Sequence, residues 1–114
     1  MDERILKCLF DIKFAIEEID SFFENPEMDF FKYKKNLMLK RAVERDLEII
    51  GEAINRIIKR DPTFEGKIAN AKAIIGLRNQ VIHAYDNISD ENIWSILIIH
   101  LPKLKGEIKT RNQQ

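Results

Sequence analysis

Apolar residues recur at spacings of three and four along most of this 114-residue chain, and that repeat is what most narrows the folds open to it. Ile5, Leu9, Ile12, Ile16, Ile19 and Phe23 trace one helical stripe, widened by Leu6 and Phe10. The spacing predicts a first helix over residues 2–24, with Asp2 near its cap. Asn25-Pro26 then breaks it, because proline disfavours a helical residue before it. Leu39, Val43, Leu47, Ile50, Ile54, Ile57 and Ile58 carry a second helix over 36–60, ended by Asp61-Pro62. Ile68, Ala71, Ile74, Ile75, Leu77, Val81 and Ile82 carry a third over 68–82. Asn87, Ser89 and Asp90 supply turn and cap chemistry for a fourth over 90–109, whose stripe is Ile93, Trp94, Leu97, Leu101, Leu104 and Ile108.

Four amphipathic helices with short connections predict an all-α fold, an antiparallel four-helix up-and-down bundle. A chain of this length is expected to form one domain, residues 1–114. Pro102 removes a hydrogen bond inside the fourth helix and clashes with the Ile98 carbonyl, which predicts a kink. Gly51, mid-helix, fits a close helix crossing. The aromatic and basic segment MDFFKYKKN is expected to pack on the core through Phe30, Phe31 and Tyr33. Ile96 with Ile99, and Ile49 with Ala53, lie beside the main stripes and suggest a second buried face, which a homodimer would cover.

The apolar fraction of 45% and charged fraction of 33% describe a globular chain rich in regular structure. A single cysteine, Cys8, forms no internal disulfide, and two histidines without a Cys/His cluster predict neither a metal site nor a cofactor. The opening MDERILK is too charged for a signal peptide, and no run reaches the length of a membrane span, so a cytoplasmic protein is expected. With 19 basic and 19 acidic residues the net charge is zero, so any nucleic-acid binding must rest on local patches. One candidate gathers Lys32, Lys34, Lys35, Lys40, Arg41 and Arg45, opposed in the sequence only by Glu44; a solvated helix face is the plainer reading.

The segment RNQVIHAY, residues 78–85, concentrates the chemistry. Arg78 is a permanent cation, Asn79 an amide, His83 an imidazole titrating near neutrality and Tyr85 a phenol. None requires a metal. Such a set suits RNA cleavage by its own 2′-hydroxyl, with His83 as base and Arg78 stabilising charge on the phosphorus oxygens. Residues five apart on a helix point about 140° from one another, so Arg78 reaches around, the helix loosens, or two motifs converge across a dimer axis. Asn79 shares a face with His83 and can orient it or contact substrate. A proton donor for the leaving 5′ oxygen is also needed, a role open to Tyr85 or a second subunit's His83. By spacing alone, an Arg and a His five residues apart is also a common chance pattern. His100, without a polar cluster, reads as structural, and Glu48 and Glu52 read as partners of Arg45 and Arg56, the alternative being that they hold Arg78.

RAVERDLEIIGEAINRI, residues 41–57, and IIGLRNQVIHAYDNISDENIWSILIIHLPKLKGEI, residues 74–108, resemble the HEPN superfamily, and within it the HepT-like toxins of bacterial and archaeal toxin–antitoxin pairs. The resemblance implies a metal-independent endoribonuclease, an RNA substrate, and a dimer with its two motifs facing one cleft. It implies catalytic roles for Arg78 and His83, with Asn79 as the polar residue after the Arg. It also implies that Tyr85 completes the motif and is adenylylated by a minimal nucleotidyltransferase antitoxin. Ala84, often acidic in relatives, leaves the local charge less negative here and bears on substrate or antitoxin contacts. The alternative within the same family is a noncatalytic partner or substrate-binding module of a nucleotidyltransferase. A purely structural helical adaptor is a third reading, indifferent to substitution at Arg78 or His83.

Overall fold

The computed structural model describes residues 2–23, 29–66, 68, 73–76 and 89–112, with side chains as far as residue 108. The described residues are helical or connect helices, and no strand occurs among them. Helix α1 spans Glu3–Phe22, and Asp2 caps it by accepting a hydrogen bond from the Arg4 N–H at 2.7 Å. A short helix α2, Phe30–Lys35, starts where the Asp29 carboxylate accepts from the N–H groups of Phe31 and Lys32. It was not anticipated as a helix. Asn36 caps the long α3, Leu37–Arg60, through the Leu39 N–H. A 3₁₀ turn over Pro62–Gly66 follows, seating Phe64 in the core.

The predicted third helix falls largely outside the described residues; within it, residues 73–76 are helical and Ile68 and Ile74 are buried. Ser89 then caps α4, Asp90–Ser95, by accepting from the Asn92 N–H at 3.0 Å. Ile96–His100 continue as a π-helical turn, in which the Leu101 N–H bonds back to the Ile96 carbonyl, and α5 runs over Leu101–Asn112. The kink expected at Pro102 is thus met by a change of helical register. The wider turn shifts the hydrogen-bond ladder by one residue just before Pro102, so the proline falls where the ladder changes register.

The core is one apolar cluster. Leu9, Ile12 and Ile19 of α1, Leu47, Ile50, Ile54 and Ile57 of α3, and Ile93 and Leu104 beyond the motif are fully buried. Each such side chain contributes about 1.5–3 kcal/mol by leaving water. Asp2 at the start of α1 meets Arg60 at the end of α3 at 2.6 Å, so these two helices run antiparallel. Lys105 of α5 holds Asp20 near the end of α1 at 2.8 Å. Trp94 anchors α2, its ring contacting Phe30 at 5.7 Å, Tyr33 at 5.5 Å and, edge-on, Phe23 at 6.1 Å.

Three sequence expectations need correction. Phe31 points outward and is 72% exposed, so Tyr33, with Phe30 half-buried, carries the core packing assigned to all three aromatics. Leu6 and Phe10 do not widen the buried stripe of α1; they are exposed, as is Phe14 one turn on. Ile96 and Ala53 belong to the main core, whereas Ile98 and Ile99 are about half exposed. The reason is positional: the π turn rotates the register after Ile96 and leaves Ile98 and Ile99 at the rim of the core, with Ile98 lining a shallow surface pocket beside Ile16 and Asp20 of α1.

Candidate functional site

Arg78, Asn79, His83 and Tyr85 lie outside the described residues; the structure describes the flanks that deliver them. On the upstream side, the helical turn over 73–76 is fixed by Ile74, which is completely buried, and Arg78 follows Gly76 by two residues, a chain reach of at most about 7 Å. On the downstream side, Tyr85 precedes the cap residue Ser89 by four residues, a reach of at most about 14 Å.

That downstream anchor is tied from three directions. Asp90 pairs with Lys40 of α3 at 3.3 Å, and Glu91 faces Lys34 of α2 at 3.9 Å. Trp94, one turn further, packs into the aromatic cluster of α2. The segment following the motif therefore starts from a fixed end of α4, and α2 is the element packed beside it.

The charges nearby are arranged differently from their order in sequence. Of the six cations in the basic patch, four have carboxylate partners: Lys34 with Glu91, Lys40 with Asp90, Arg41 with Glu44 and Arg45 with Glu48. Glu44 is thus not their sole counter-charge, because folding brings Asp90 and Glu91 across from α4. Lys32 and Lys35 have no ion-pair partner among the described residues. The surface pairing read for Glu48 and Glu52 is present, with Arg45 at 3.7 Å and Arg56 at 3.1 Å.

Two buried polar groups were not singled out by the sequence reading. The Tyr33 hydroxyl is buried with no hydrogen-bond partner, and desolvation, reinforced by the charges of Glu44 and Asp90, raises its pKa far above the usual phenol value. It stays neutral and is unsuited to proton transfer. Asp46 of α3 is 3% exposed, and burial, followed by a hydrogen bond with Glu18, pushes its pKa up to about 7. A signal for Asp46 was available: it stands in the buried register of α3, three residues after Val43 and four before Ile50.

A groove of about 620 Å³ runs between the start of α1 and the end of α3, lined by Cys8 and by cations including Lys7, Arg56 and Arg60. Those three face the carboxylates of Asp11, Glu52 and Asp2 respectively, whereas Arg4 and Lys59 of the same groove have no ion pair among the described residues. Among the described residues no three His, Cys, Asp or Glu side chains gather as metal ligands, and no helix is long and apolar enough to cross a membrane.

Residues 12–111, from the second half of α1 through the motif and both of its flanks to the end of α5, match the family model described as Ribonuclease HepT-like. The chain belongs to this family. Its HepT-like sequence is 37% identical to a protein of Methanocaldococcus jannaschii named Putative RNase MJ1380, over 96% of this chain and 98% of the relative. It is 31% identical to Putative RNase TTE0752 of Caldanaerobacter subterraneus, covering 87% of this chain and 82% of that protein. It is likewise 31% identical to a Probable ribonuclease HepT of Thermococcus cleftensis, covering 87% of each. No solved structure matches the chain.

Proposed function

We propose that this HepT-like chain is a metal-independent endoribonuclease, the toxin of a type VII-like toxin–antitoxin pair acting in the cytoplasm. The observation that carries the reading is the Arg78, Asn79, His83, Tyr85 set, standing complete inside the region that matches the HepT-like family. The names of the relatives, ribonucleases all, support RNA as substrate.

In this mechanism His83 takes the proton of a ribose 2′-hydroxyl, and the freed oxygen attacks the adjacent phosphorus. Arg78 stabilises the charge that gathers on the phosphorus oxygens, and Asn79 orients the imidazole. The 5′ oxygen leaves with a proton from Tyr85 or from a second subunit's His83. The products are a 2′,3′-cyclic phosphate and a 5′-hydroxyl, with no metal or cofactor taking part. We assign the whole chain to one antiparallel four-helix up-and-down domain, with α2 as an added turn and the motif on the third helix. A homodimer would bring two motifs to one cleft. A minimal nucleotidyltransferase antitoxin would silence the enzyme by adenylylating Tyr85.

Analysis of the ends left on a defined single-stranded RNA tests the chemistry. Cyclic phosphate and 5′-hydroxyl ends are expected; 5′-phosphate ends would rule out attack by the 2′-hydroxyl. An absence of cleavage would favour the noncatalytic partner role instead.

A further inference from the structure

Most cations of this chain with described side chains are neutralised within the fold. Lys7, Lys13, Lys34, Lys40, Arg41, Arg45, Arg56, Arg60 and Lys105 each face a carboxylate. Arg4, Lys32, Lys35, Lys59 and Lys103 have no ion pair among the described residues, and of these five Lys32 and Lys35 are exposed one turn apart on a single helix, α2. On either side of them in the chain the surface is apolar where water would be expected to favour polar groups. Phe31 is 72%, Leu37 60% and Met38 85% exposed. The inward side of α2 is meanwhile locked by Tyr33 and Phe30 against Trp94, so the outward side is a fixed platform.

We infer that the outward face of α2 and the start of α3, formed by Phe31, Lys32, Lys35, Leu37 and Met38, docks a single strand of RNA and holds it for the motif. The inference rests on the ribonuclease reading above. Unpaired lysines beside an exposed aromatic ring are what a single strand needs: ammonium groups meet the phosphates, and a base, unlike one in a duplex, has a free face to stack on Phe31. Leu37 and Met38 extend the apolar floor for a neighbouring base. Position favours the same role. The Lys34–Glu91 and Lys40–Asp90 pairs hold this face to the start of α4, and Asp90 follows His83 by seven residues, a reach of at most about 25 Å. A strand a few nucleotides long can therefore touch both.

The test uses the full chain blocked by His83→Ala and a fluorescein-labelled, unstructured single-stranded RNA, with affinity read by anisotropy across a salt series. Lys32→Glu with Lys35→Glu is expected to weaken binding at least tenfold. Replacing both by alanine should flatten the salt slope by about 1.4, two lost phosphate contacts at about 0.7 each. Phe31→Ala should weaken binding about fivefold or more at unchanged slope, and Lys32→Arg with Lys35→Arg should restore the parent affinity. Lys59→Glu with Lys103→Glu, the same charge change at exposed positions elsewhere, should leave affinity nearly unchanged. The proposal is overturned if the blocked chain does not bind, if the α2 variants bind like the parent, or if the control pair weakens binding as much as they do. Losing only a protein partner's affinity at α2 would also overturn it. Cleavage of the same RNA by the wild type is scored separately: a chain that cuts while its α2 variants bind normally loses the docking site alone, and one that binds through α2 without cutting loses the ribonuclease reading alone.

Discussion

Asp46 of α3 and Glu18 of α1 share a hydrogen bond across the seam between the two longest helices, with Asp46 buried and Glu18 at the surface. No nitrogen donor reaches the buried Asp46 Oδ2, so the pair is stable when it holds a proton between its carboxyl groups. Asp46 stays protonated in the folded chain up to about pH 7, whereas an aspartate in water ionises near 3.8. Between those values the folded state binds more protons than the unfolded state, and stability falls as pH rises. Asp46→Asn, which keeps a donor for Glu18 and never ionises, should remove that slope. Its melting temperature should exceed the wild type's by several degrees at pH 8, about 1 kcal/mol corresponding to ~4–8 °C in a domain near this size. Equal melting temperatures at pH 8 would contradict the shared proton.

Gly106 lies in the interior of α5, where an added Cβ would meet open space. Gly106→Ala should therefore stabilise the chain by about 0.5–1 kcal/mol, chiefly by reducing the freedom of the unfolded backbone. Urea denaturation measures it. A loss of stability would mean that this face is covered in the folded protein.

Of the second apolar face read from the sequence Ile99 stays half exposed, and with its equally exposed neighbour Ile98 it forms an apolar pair. A homodimer built on it should sediment as a dimer at micromolar concentration, and Ile98→Asp with Ile99→Asp should yield a folded monomer. If the double variant remains dimeric, the seam lies elsewhere, with the exposed Phe10 and Phe14 the next face to substitute.

Co-expression with a minimal nucleotidyltransferase tests control of the site. Peptide mapping should find one or more adenylate groups on Tyr85, and Tyr85→Phe should escape neutralisation. The added phosphate would oppose the substrate phosphate by charge and by occupancy. An unmodified Tyr85 in a fully neutralised protein would place inhibition in binding or at another residue.

What the sequence made legible follows the range of the forces involved. Helix boundaries set by local chemistry were readable: the Asp2 and Ser89 caps and the Asp61-Pro62 stop fall within one or two residues of the observed ends. Helix α2 was missed because six residues carry no full apolar repeat, and its stability comes from the Asp29 cap and from Trp94, distant in sequence. Pro102 advertised an irregularity, but not that a π turn would absorb it. The basic patch looked uncompensated because Asp90 and Glu91 become neighbours of Lys40 and Lys34 only on folding. The assignment of the site rests on residue chemistry and family membership, since Arg78, Asn79, His83 and Tyr85 fall outside the described residues.

The most direct measurement of the central claim is the rate of single-stranded RNA cleavage by the wild type, His83→Ala and Arg78→Ala, each with and without chelator. Loss of the base should slow cleavage by about two to four orders of magnitude, and loss of the cation by about two to three, with chelator changing neither the wild-type rate nor the products. Cleavage by both variants at the wild-type rate, or wild-type activity abolished by chelator, would contradict it.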